Sequence, residues 1–477
     1  MRRGRYISAP AVRRGRVRIG SFKAGADASA DESTLSPDVS PDTYNFCFSR
    51  GVLTEGYGLA DYDRLRGLAV SAVWRYVRTD PETDAADDRL MALAATGEVY
   101  EGPYAAAGPL TVLGGIRLSA PPAVTNYRLY GEDVVILCTA AEGMYVYNGA
   151  DPPYLVEGAP CITSLTLHAE RLFVTAGGAR NAVWFSEDLD PTNFDLSLSG
   201  GGFIQLIDER GVSGRVVSFA GYVYVFREYG ISRIGGYGDQ REFTVASLFV
   251  SSGRIFFDSV QLCGDRILFL AEDGLYAFDG YNTVKTVKRL SDVFIDGTYA
   301  AAAFTAGRYY LSFSMDRRDG ETLLDEASPY RNNGLLIYDL SSGAASLSRG
   351  MDIRRLTALK GGDGVLAVTG AGRAGLVVKN GRYFEAGLPK KWRVPKTDFA
   401  LSGNKRLAAV HLFTRYPCTL RLFSDTGQRT LAVAGGQKPQ RVRCNLSGVR
   451  LGLEILSGGG PAEIASVSLV VTGGGRD

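Results

Sequence analysis

One short unit recurs along the chain, and this repetition limits the folds that the chain can adopt. Residues 264–280 read GDRILFLAEDGLYAFDG, in which two apolar runs are separated by Glu272, Asp273 and Gly274. An Asp-Gly pair tolerates the positive φ angles that a tight hairpin turn requires, so the unit predicts a β-hairpin. Because an isolated hairpin is barely stable in water, we expect it to pack against others.

The same pattern returns about every 40 to 55 residues, a period that is typical of propeller blades. The copies are residues 90–102, 133–149, 171–186, 221–236, 264–280, 307–340 and 363–381. A β-sandwich with many hairpins is the alternative, but sandwiches seldom repeat one hairpin this often. We therefore predict an all-β fold with a β-propeller of about six to eight blades over residues 43–385.

Two further segments flank the repeats in this chain of 477 residues. Strands continue after about residue 385 without the repeated turn, which predicts a separate C-terminal β-sandwich over residues 386–477. A hairpin signal at residues 44–59 precedes the first copy. We predict that this hairpin packs into the blade of residues 365–378 and closes the ring, since an unpaired sheet edge promotes aggregation.

Residues 1–42 are predicted to form an extended N-terminal arm, because they are too polar to build a core. The segment begins with seven arginines: Arg2, Arg3, Arg5, Arg13, Arg14, Arg16 and Arg18. Three interpretations are open: a solvated tail, an arm that contacts a neighbouring subunit, and an arm that binds a phosphate backbone. Of the two binding interpretations we favour the neighbouring subunit, because 53 Lys and Arg against 51 Asp and Glu indicate no broad basic face.

An acidic loop at residues 79–88 is the predicted target of those arginines, because Arg binds carboxylates through bidentate hydrogen bonds. Its candidate contact residues are Asp80, Glu82, Asp84, Asp87 and Asp88. Their spacing does not match a calcium-binding loop, so a solvated loop is the alternative that we prefer to a metal site.

The residue types of common catalytic sites are scarce or scattered. His168 and His411 are the two histidines, and neither has a second His or Cys at ligand spacing, so we expect each to be a hydrogen-bonded structural residue. The six cysteines form no CxxC pair and are predicted to be reduced thiols. We predict no catalytic residue, no cofactor and no metal site, hence no enzyme, and no transmembrane helix.

Three segments resemble structural proteins of tailed phages or prophages. Residues 35–58, LSPDVSPDTYNFCFSRGVLTEGYG, are similar to the start of podovirus-type tail nozzle and DNA-stabilisation propellers. Residues 168–194, and residues 391–401 together with 451–474, are similar to other parts of such proteins. The usual Arg-Pro-Gly of the nozzle start is replaced by residues 55–58, EGYG, so a nozzle, a stopper and another tail component all stay open.

The resemblance implies a non-enzymatic virion structural protein that is made in the host cytoplasm. It would assemble as a homo-oligomeric ring at the phage tail or neck, with portal-adaptor or other tail proteins as partners and DNA passing nearby through the channel. Two alternatives remain: a propeller that binds glycan or protein, and a propeller glycoside hydrolase.

Overall fold

A computed structural model of the chain describes residues 12–19, 22, 25–80, 83, 85–196, 200–236, 240–315, 332–362 and 364–474. In these ranges it has 41 strands, β1 to β41 in chain order, which form nine sheets. The prediction of an all-β fold is confirmed. The helices whose bounds the structure defines are short 3-10 helices at Glu32–Thr34, Asp63–Leu65, Gln240–Glu242, Lys288–Val293 and Lys360–Gly362.

Seven sheets follow one another along the described chain, and we call them the seven-sheet part. The first six are β6 Val70–Tyr76, β7 Arg89–Ala94, β8 Glu98–Pro103 and β9 Thr111–Arg117; β10 Ala123–Leu129, β11 Glu132–Thr139, β12 Gly143–Tyr147 and β13 Tyr154–Val156; β14 Ile162–His168, β15 Arg171–Ala176, β16 Ala182–Phe185 and β17 Gly202–Gln205; β18 Ser213–Phe219, β19 Tyr222–Arg227, β20 Gly230–Gly235 and β21 Thr244–Val250; β22 Ile255–Leu262, β23 Ile267–Ala271, β24 Gly274–Phe278 and β25 Thr283–Lys285; β26 Phe294–Thr305, β27 Arg308–Met315, β28 Gly334–Asp339 and β29 Ala345–Arg349. The seventh contains β30 Ile353–Ala358, β31 Val365–Thr369, β32 Ala374–Val378, β5 Gly58–Asp61, β33 Arg382–Tyr383 and β34 Ala386–Gly387.

The recurring hairpin supplies the second and third strands of each of these sheets, so all seven predicted hairpins are confirmed. In the fifth sheet β23 pairs with β24 from Ile267↔Phe278 to Ala271↔Gly274. Gly274 has a φ of 142°, which side-chain-bearing residues rarely adopt. Every residue of β23 is buried, as expected for a strand with packed layers on both faces.

From the second sheet to the seventh, the first strands of successive sheets lie side by side. Ser164 of the third sheet accepts a hydrogen bond at Oγ from the backbone N of Val216 in the fourth, at 3.2 Å. The seventh sheet returns to the first, where Thr357 Oγ1 donates to the carbonyl oxygen of Val73 at 2.8 Å. This arrangement is consistent with a β-propeller.

A strand from the N-terminal region completes the seventh sheet. Strand β5 pairs antiparallel with β32, and Asp61 at its end accepts hydrogen bonds from Arg373 at 2.7 and 2.8 Å. The sequence predicted that an N-terminal hairpin closes this sheet. That prediction was wrong, because a single strand, β5, closes it. The strands of the hairpin, β3 Phe46–Ser49 and β4 Val52–Glu55, belong to another sheet, because Phe46 and Leu53 are buried in a different apolar core.

The last two sheets, called here the C-terminal sheet pair, share that core. One contains β1 Val12–Ile19, β3, β4, β36 Lys405–Thr414, β39 Gln440–Gly448 and β41 Glu463–Gly474; the other contains β2 Thr43–Tyr44, β35 Lys390–Thr397, β37 Cys418–Ser424, β38 Gln428–Val433 and β40 Leu451–Ser457. The predicted boundary at residue 386 therefore omits four N-terminal strands, β1 to β4, that complete these sheets.

The predicted arm needs the same correction. Strand β1 pairs antiparallel with β41, from Val12↔Gly474 to Ile19↔Val467. Arg13 and Arg14 thus lie opposite Gly473 and Thr472 in the ladder. The stretch can join a sheet because Val17 and Ile19 alternate with arginines and pack against the shared core. Arg2, Arg3 and Arg5 lie outside the described residues.

Candidate functional site

Asn45 connects the seven-sheet part to the C-terminal sheet pair. Its buried side chain donates through Nδ2 to the carbonyl oxygens of Arg349 at 2.9 Å and Pro389 at 2.7 Å. Its Oδ1 accepts from the backbone N of Arg349 at 2.7 Å. Asn45 has a φ of 58°, a conformation in which Asn is enriched among residues other than Gly. One side chain therefore satisfies backbone groups from both parts of the molecule.

A buried charge cluster lies within the C-terminal sheet pair, on the strand that follows Pro389. The carboxylate of Glu454 lies 3.2 Å from Arg393 Nη1, 3.1 Å from Arg421 Nη1 and 3.6 Å from Lys391 Nζ. The fully buried Lys391 also contacts Asp42 Oδ2 at 2.9 Å. Because a buried charge is costly unless it is paired, this cluster holds the segment before β2 against β35.

The acidic part of the predicted arm lies across the junction. Glu32 accepts hydrogen bonds from Arg393 at 2.9 and 3.1 Å and from the backbone N of Lys396 at 2.8 Å. On the seven-sheet side, Asp27 Oδ2 lies 3.7 Å from Arg289 Nε. Residues 25–42 therefore bridge the two parts of the molecule.

Two of the predicted acidic contact residues are occupied within their own chain. Asp88 lies 3.0 Å from Arg75 Nη2 and 2.7 Å from Lys360 Nζ, and it thereby links the first sheet to the segment after β30. Burial opposes its ionisation, but the hydrogen bond from Lys360 and the charge of Arg75 hold the pKa of Asp88 below its usual value. Asp87 lies 3.4 Å from Arg78 Nη1. This corrects the view of both carboxylates as open targets for a neighbour's arginines.

The other predicted acidic contact residues are Asp80, Glu82 and Asp84. Asp80 accepts a hydrogen bond at Oδ1 from the backbone N of Thr83 at 2.9 Å, which is the chemistry of a turn. Glu82 and Asp84 lie outside the described residues.

The arginines of β1 take part in a surface that the sequence did not reveal. Arg16 and Arg18 are exposed. Arg18 lies opposite Ser468 of β41. In the same row across the sheet, Ser468 lies opposite His411 of β36, and His411 lies opposite Arg441 of β39. We define the basic face as Arg16, Arg18, Arg406, His411, Arg441 and Arg443. The signal for it was the alternation of arginines in RGRVR and RVR, which places them on one side of a strand.

A polar cavity of about 350 Å³ lies among the first strands of the seven-sheet part, and its lining includes Ser71, Asp258, Thr298, Arg354 and Arg355. Asp258 accepts a hydrogen bond from Arg355 Nη1 at 3.3 Å. Asp258 is the one carboxylate among the described residues that line the cavity. A glycosidase uses a pair of carboxyl groups, so the cavity does not favour that chemistry.

Arg215 of β18 adds a third arginine to this region. Burial lowers the pKa of its guanidinium, and the nearby charge of Asp258 opposes that shift. Its buried Nε has no hydrogen-bond partner among the described residues. An unsatisfied buried donor beside arginines suits a small anion or an acidic group of a ligand.

The histidines and cysteines have structural environments. His168 Nδ1 lies 2.9 Å from Ser218 Oγ of the next sheet, as predicted, whereas the side chain of His411 forms no hydrogen bond with another described residue. All six cysteines are free thiols, as predicted, and burial raises the pKa of Cys418 and of Cys444 to about 11. Within the described ranges, no group of three or more His, Cys, Asp or Glu could hold a metal ion, and no helix is long and apolar enough to cross a membrane.

No family model matches the chain, and no curated protein matches it significantly. Among solved structures, the chain is similar to BBS1N, crystallised in complex with ARL6DN, at 11% identity over 68% of this chain and 97% of that one, with a TM-score of 0.43. It is also similar to virginiamycin B lyase from Staphylococcus aureus, at 10% identity over 68% and 99% of the two chains, with a TM-score of 0.44. A computationally designed protein, Ika8, is 11% identical over 68% and 100%, with a TM-score of 0.40. Similarities at this level carry no inference about activity or partners.

Proposed function

We propose that the chain is a non-enzymatic structural subunit of a phage or prophage particle, assembled as a homo-oligomeric ring at the tail or neck. The resemblance of residues 35–58 to tail nozzle and DNA-stabilisation proteins supports the kind of particle. The observation that carries the structural role is the junction, where Asn45 and the segment with Asp27 and Glu32 bind groups of both parts of the molecule. Such a rigid connection suits a subunit that must keep one shape while it holds its neighbours.

In this proposal the seven sheets are the blades of a closed seven-bladed propeller, and the C-terminal sheet pair is a β-sandwich. The N-terminal strands β1 to β4 are part of that sandwich. The ring surrounds the DNA channel of the particle, and portal-adaptor or other tail proteins are its neighbours. The protein reaches the virion after synthesis in the host cytoplasm.

The test is assembly. We expect the purified chain to form rings, measured by light scattering coupled to size-exclusion chromatography and by electron microscopy of the peak fraction. We also expect mass spectrometry to find the chain in particles induced from the host. The matched variant is Asn45→Gly, which weakens the junction and is expected to be incorporated less. A monomer at all concentrations, with no chain in purified particles, would contradict the proposal.

A second candidate function rests on the cavity. Arg215, Arg354 and Arg355 would suit a module that binds an acidic glycan or an acidic segment of a protein. This candidate predicts that acidic oligosaccharides bind a monomeric chain, as measured by titration calorimetry, and that Arg355→Gln abolishes the binding. Neutral oligosaccharides of the same length serve as the control ligands. Binding that is unaffected by Arg355→Gln would exclude the cavity as its site.

A further inference from the structure

The acidic residues of this sheet lie at strand ends and not on the strands that supply the basic face: Glu55 ends β4, and Glu463 begins β41. Strands β1, β36 and β39 contain no Asp or Glu. The acidic residue of β41 is Glu463 at its first position, and it lies 3.4 Å from Arg415 Nη1. Among the described residues, no arginine of the basic face forms an ion pair. Their charge is therefore open to an external partner.

The positions on this face are evenly spaced. Two rows cross the sheet through residues that lie opposite one another: Arg18, Ser468, His411 and Arg441 in one, and Arg16, Val470, Ala409 and Arg443 in the next. Residues two apart on a strand are about 6.7 Å apart, and adjacent strands about 4.8 Å, so the arginines of β1 and β39 lie about 14 Å from each other.

Two arginines of the basic face form hydrogen bonds with side chains of the same sheet. Arg16 donates to Ser468 Oγ at 3.1 and 3.3 Å, and Arg406 Nη2 donates to Asn445 Oδ1 at 2.7 Å. Beneath the face, Val410 and Leu469 are buried in the shared core. A guanidinium has five N–H donors, so most of them stay available after these contacts.

We propose that the basic face binds the phosphate backbone of duplex DNA without reading its sequence. Phosphates are the anions that arginine binds bidentately, and they occur at regular intervals on both sides of a groove. The separation of the two arginine pairs, about 14 Å, is comparable with the major groove of B-DNA, about 12 Å wide. The contacts proposed here are all to phosphates, which carry no sequence information, so contacts to base edges are not expected.

This proposal rests on the proposed function in one respect only: a ring around the DNA channel is what would bring DNA within reach of the basic face. It also revises the preference for a protein neighbour as the partner of Arg16 and Arg18. That preference assumed that a nearly neutral chain has no basic face, whereas the fold gathers distant arginines on one sheet.

The experiment measures binding of the isolated chain to a fluorescent duplex of about 30 base pairs by anisotropy, over a series of salt concentrations and with two unrelated sequences. The face variant combines Arg16→Gln, Arg18→Gln, Arg441→Gln and Arg443→Gln. The control variant combines Arg117→Gln, Arg128→Gln, Arg254→Gln and Arg382→Gln, four arginines that are also exposed but lie in the seven-sheet part, so both variants lose the same net charge.

We expect both sequences to bind equally, with a log–log salt slope of about −4 or steeper. The face variant should lose about three to four units of that slope and at least about 100-fold in affinity at low salt, because each phosphate contact contributes about 0.9 units. The control variant should lose much less. Equal losses in both variants, or wild-type binding that does not depend on salt, would overturn the proposal.

Two further measurements distinguish DNA from an acidic protein and test each half of the face by itself. Polyglutamate of matched charge should compete poorly, and competition equal to that of DNA would assign the face to an acidic protein instead. The pairs Arg16→Gln with Arg18→Gln and Arg441→Gln with Arg443→Gln are also made separately, with folding checked by circular dichroism, and each should lose about half of the slope. Normal rings with no DNA binding would overturn this proposal alone, whereas DNA binding without rings would overturn the proposed function.

Discussion

Asn45 shows how one residue can set the geometry of a whole molecule. Its side chain bonds to the carbonyl oxygens of Arg349 and Pro389, and its own carbonyl oxygen accepts from the backbone N of Gly56. The chain crosses here from the C-terminal sheet pair to β5. The role of Asn45 could not be predicted, because nothing in the local sequence shows that the residue is buried at a junction.

Replacing Asn45 by Ala should lower the free energy of unfolding by about 3 kcal/mol, because buried backbone groups of Arg349 and Pro389 lose their partners. Asn45→Gly should lower it by about 1 kcal/mol less, since Gly adopts the observed φ of 58° without strain. Urea denaturation of both variants measures the cost of the lost hydrogen bonds and the additional cost of backbone strain in Asn45→Ala. Variants as stable as the wild type would contradict the role of Asn45.

His168 gives the molecule a pH-sensitive contact. Burial lowers the pKa of its imidazole in the folded state, whereas the unfolded side chain titrates near 6.5. Below that pH the unfolded chain binds a proton that the folded chain does not, so stability falls as the pH falls and levels off below the folded pKa.

The two histidines of the chain allow a clean comparison. In wild type and in His411→Gln, the free energy of unfolding should decrease between pH 7.5 and 5.5 with a slope of up to about 1.4 kcal/mol per pH unit from this group. In His168→Gln that part of the slope should disappear. Denaturant titrations at several pH values measure it, and equal slopes in all three proteins would show that His168 does not contribute.

At the scale of elements, the seven-sheet part was the most predictable. The hairpins combine apolar strands with turn residues such as Asp273 and Gly274, and both signals are local. The contacts between sheets were not predictable, because they depend on shape. Gly214 of β18 is an example: a Cβ added there would lie 2.0 Å from the ring of Phe257 in β22.

Gly214→Ala should therefore destabilise the protein by about 1 to 3 kcal/mol through overpacking between the fourth and fifth sheets. Gly114→Ala is the matched control, because a Cβ at Gly114 of β9 meets no atom within 4 Å. Adding Phe257→Leu to Gly214→Ala should recover part of the loss. Thermal unfolding measures all three variants, and an unchanged melting temperature for Gly214→Ala would show that the ring moves aside freely.

At the scale of the whole molecule, the pairing of chain ends escaped prediction. Gly15 lies opposite Val471, and Leu53 opposite Ile464, and no local pattern encodes pairs so far apart in the sequence. The strands predicted after about residue 385 are present, but their sheets are completed by β1, which comes from the predicted arm, and by β2 to β4. The basic face could not be predicted for the same reason, since its arginines come from β1, β36 and β39, which are far apart in the sequence.

The fragment 386–477, which the sequence marks as a domain, should not fold alone. It lacks Ile19, Phe22, Phe46 and Leu53, each at most 6% exposed in the shared core. Burying one such side chain contributes about 1.5 to 3 kcal/mol, so the loss is comparable with the whole stability of a domain, about 5 to 15 kcal/mol. It would also leave the β41 edge unpaired, which favours aggregation.

Joining residues 12–55 to 386–477 through a flexible Gly-Ser linker should restore a cooperative thermal transition and dispersed amide resonances. The same fusion with Phe46→Asp and Leu53→Asp is the control, and it should stay unfolded, because a buried carboxylate without a partner is strongly unfavourable. If residues 386–477 melted cooperatively on their own, the N-terminal strands would be an accessory of the sheet pair. Failure of the fragment with rescue by the fusion would establish that the two ends of the chain fold as one unit, with the seven sheets inserted between them.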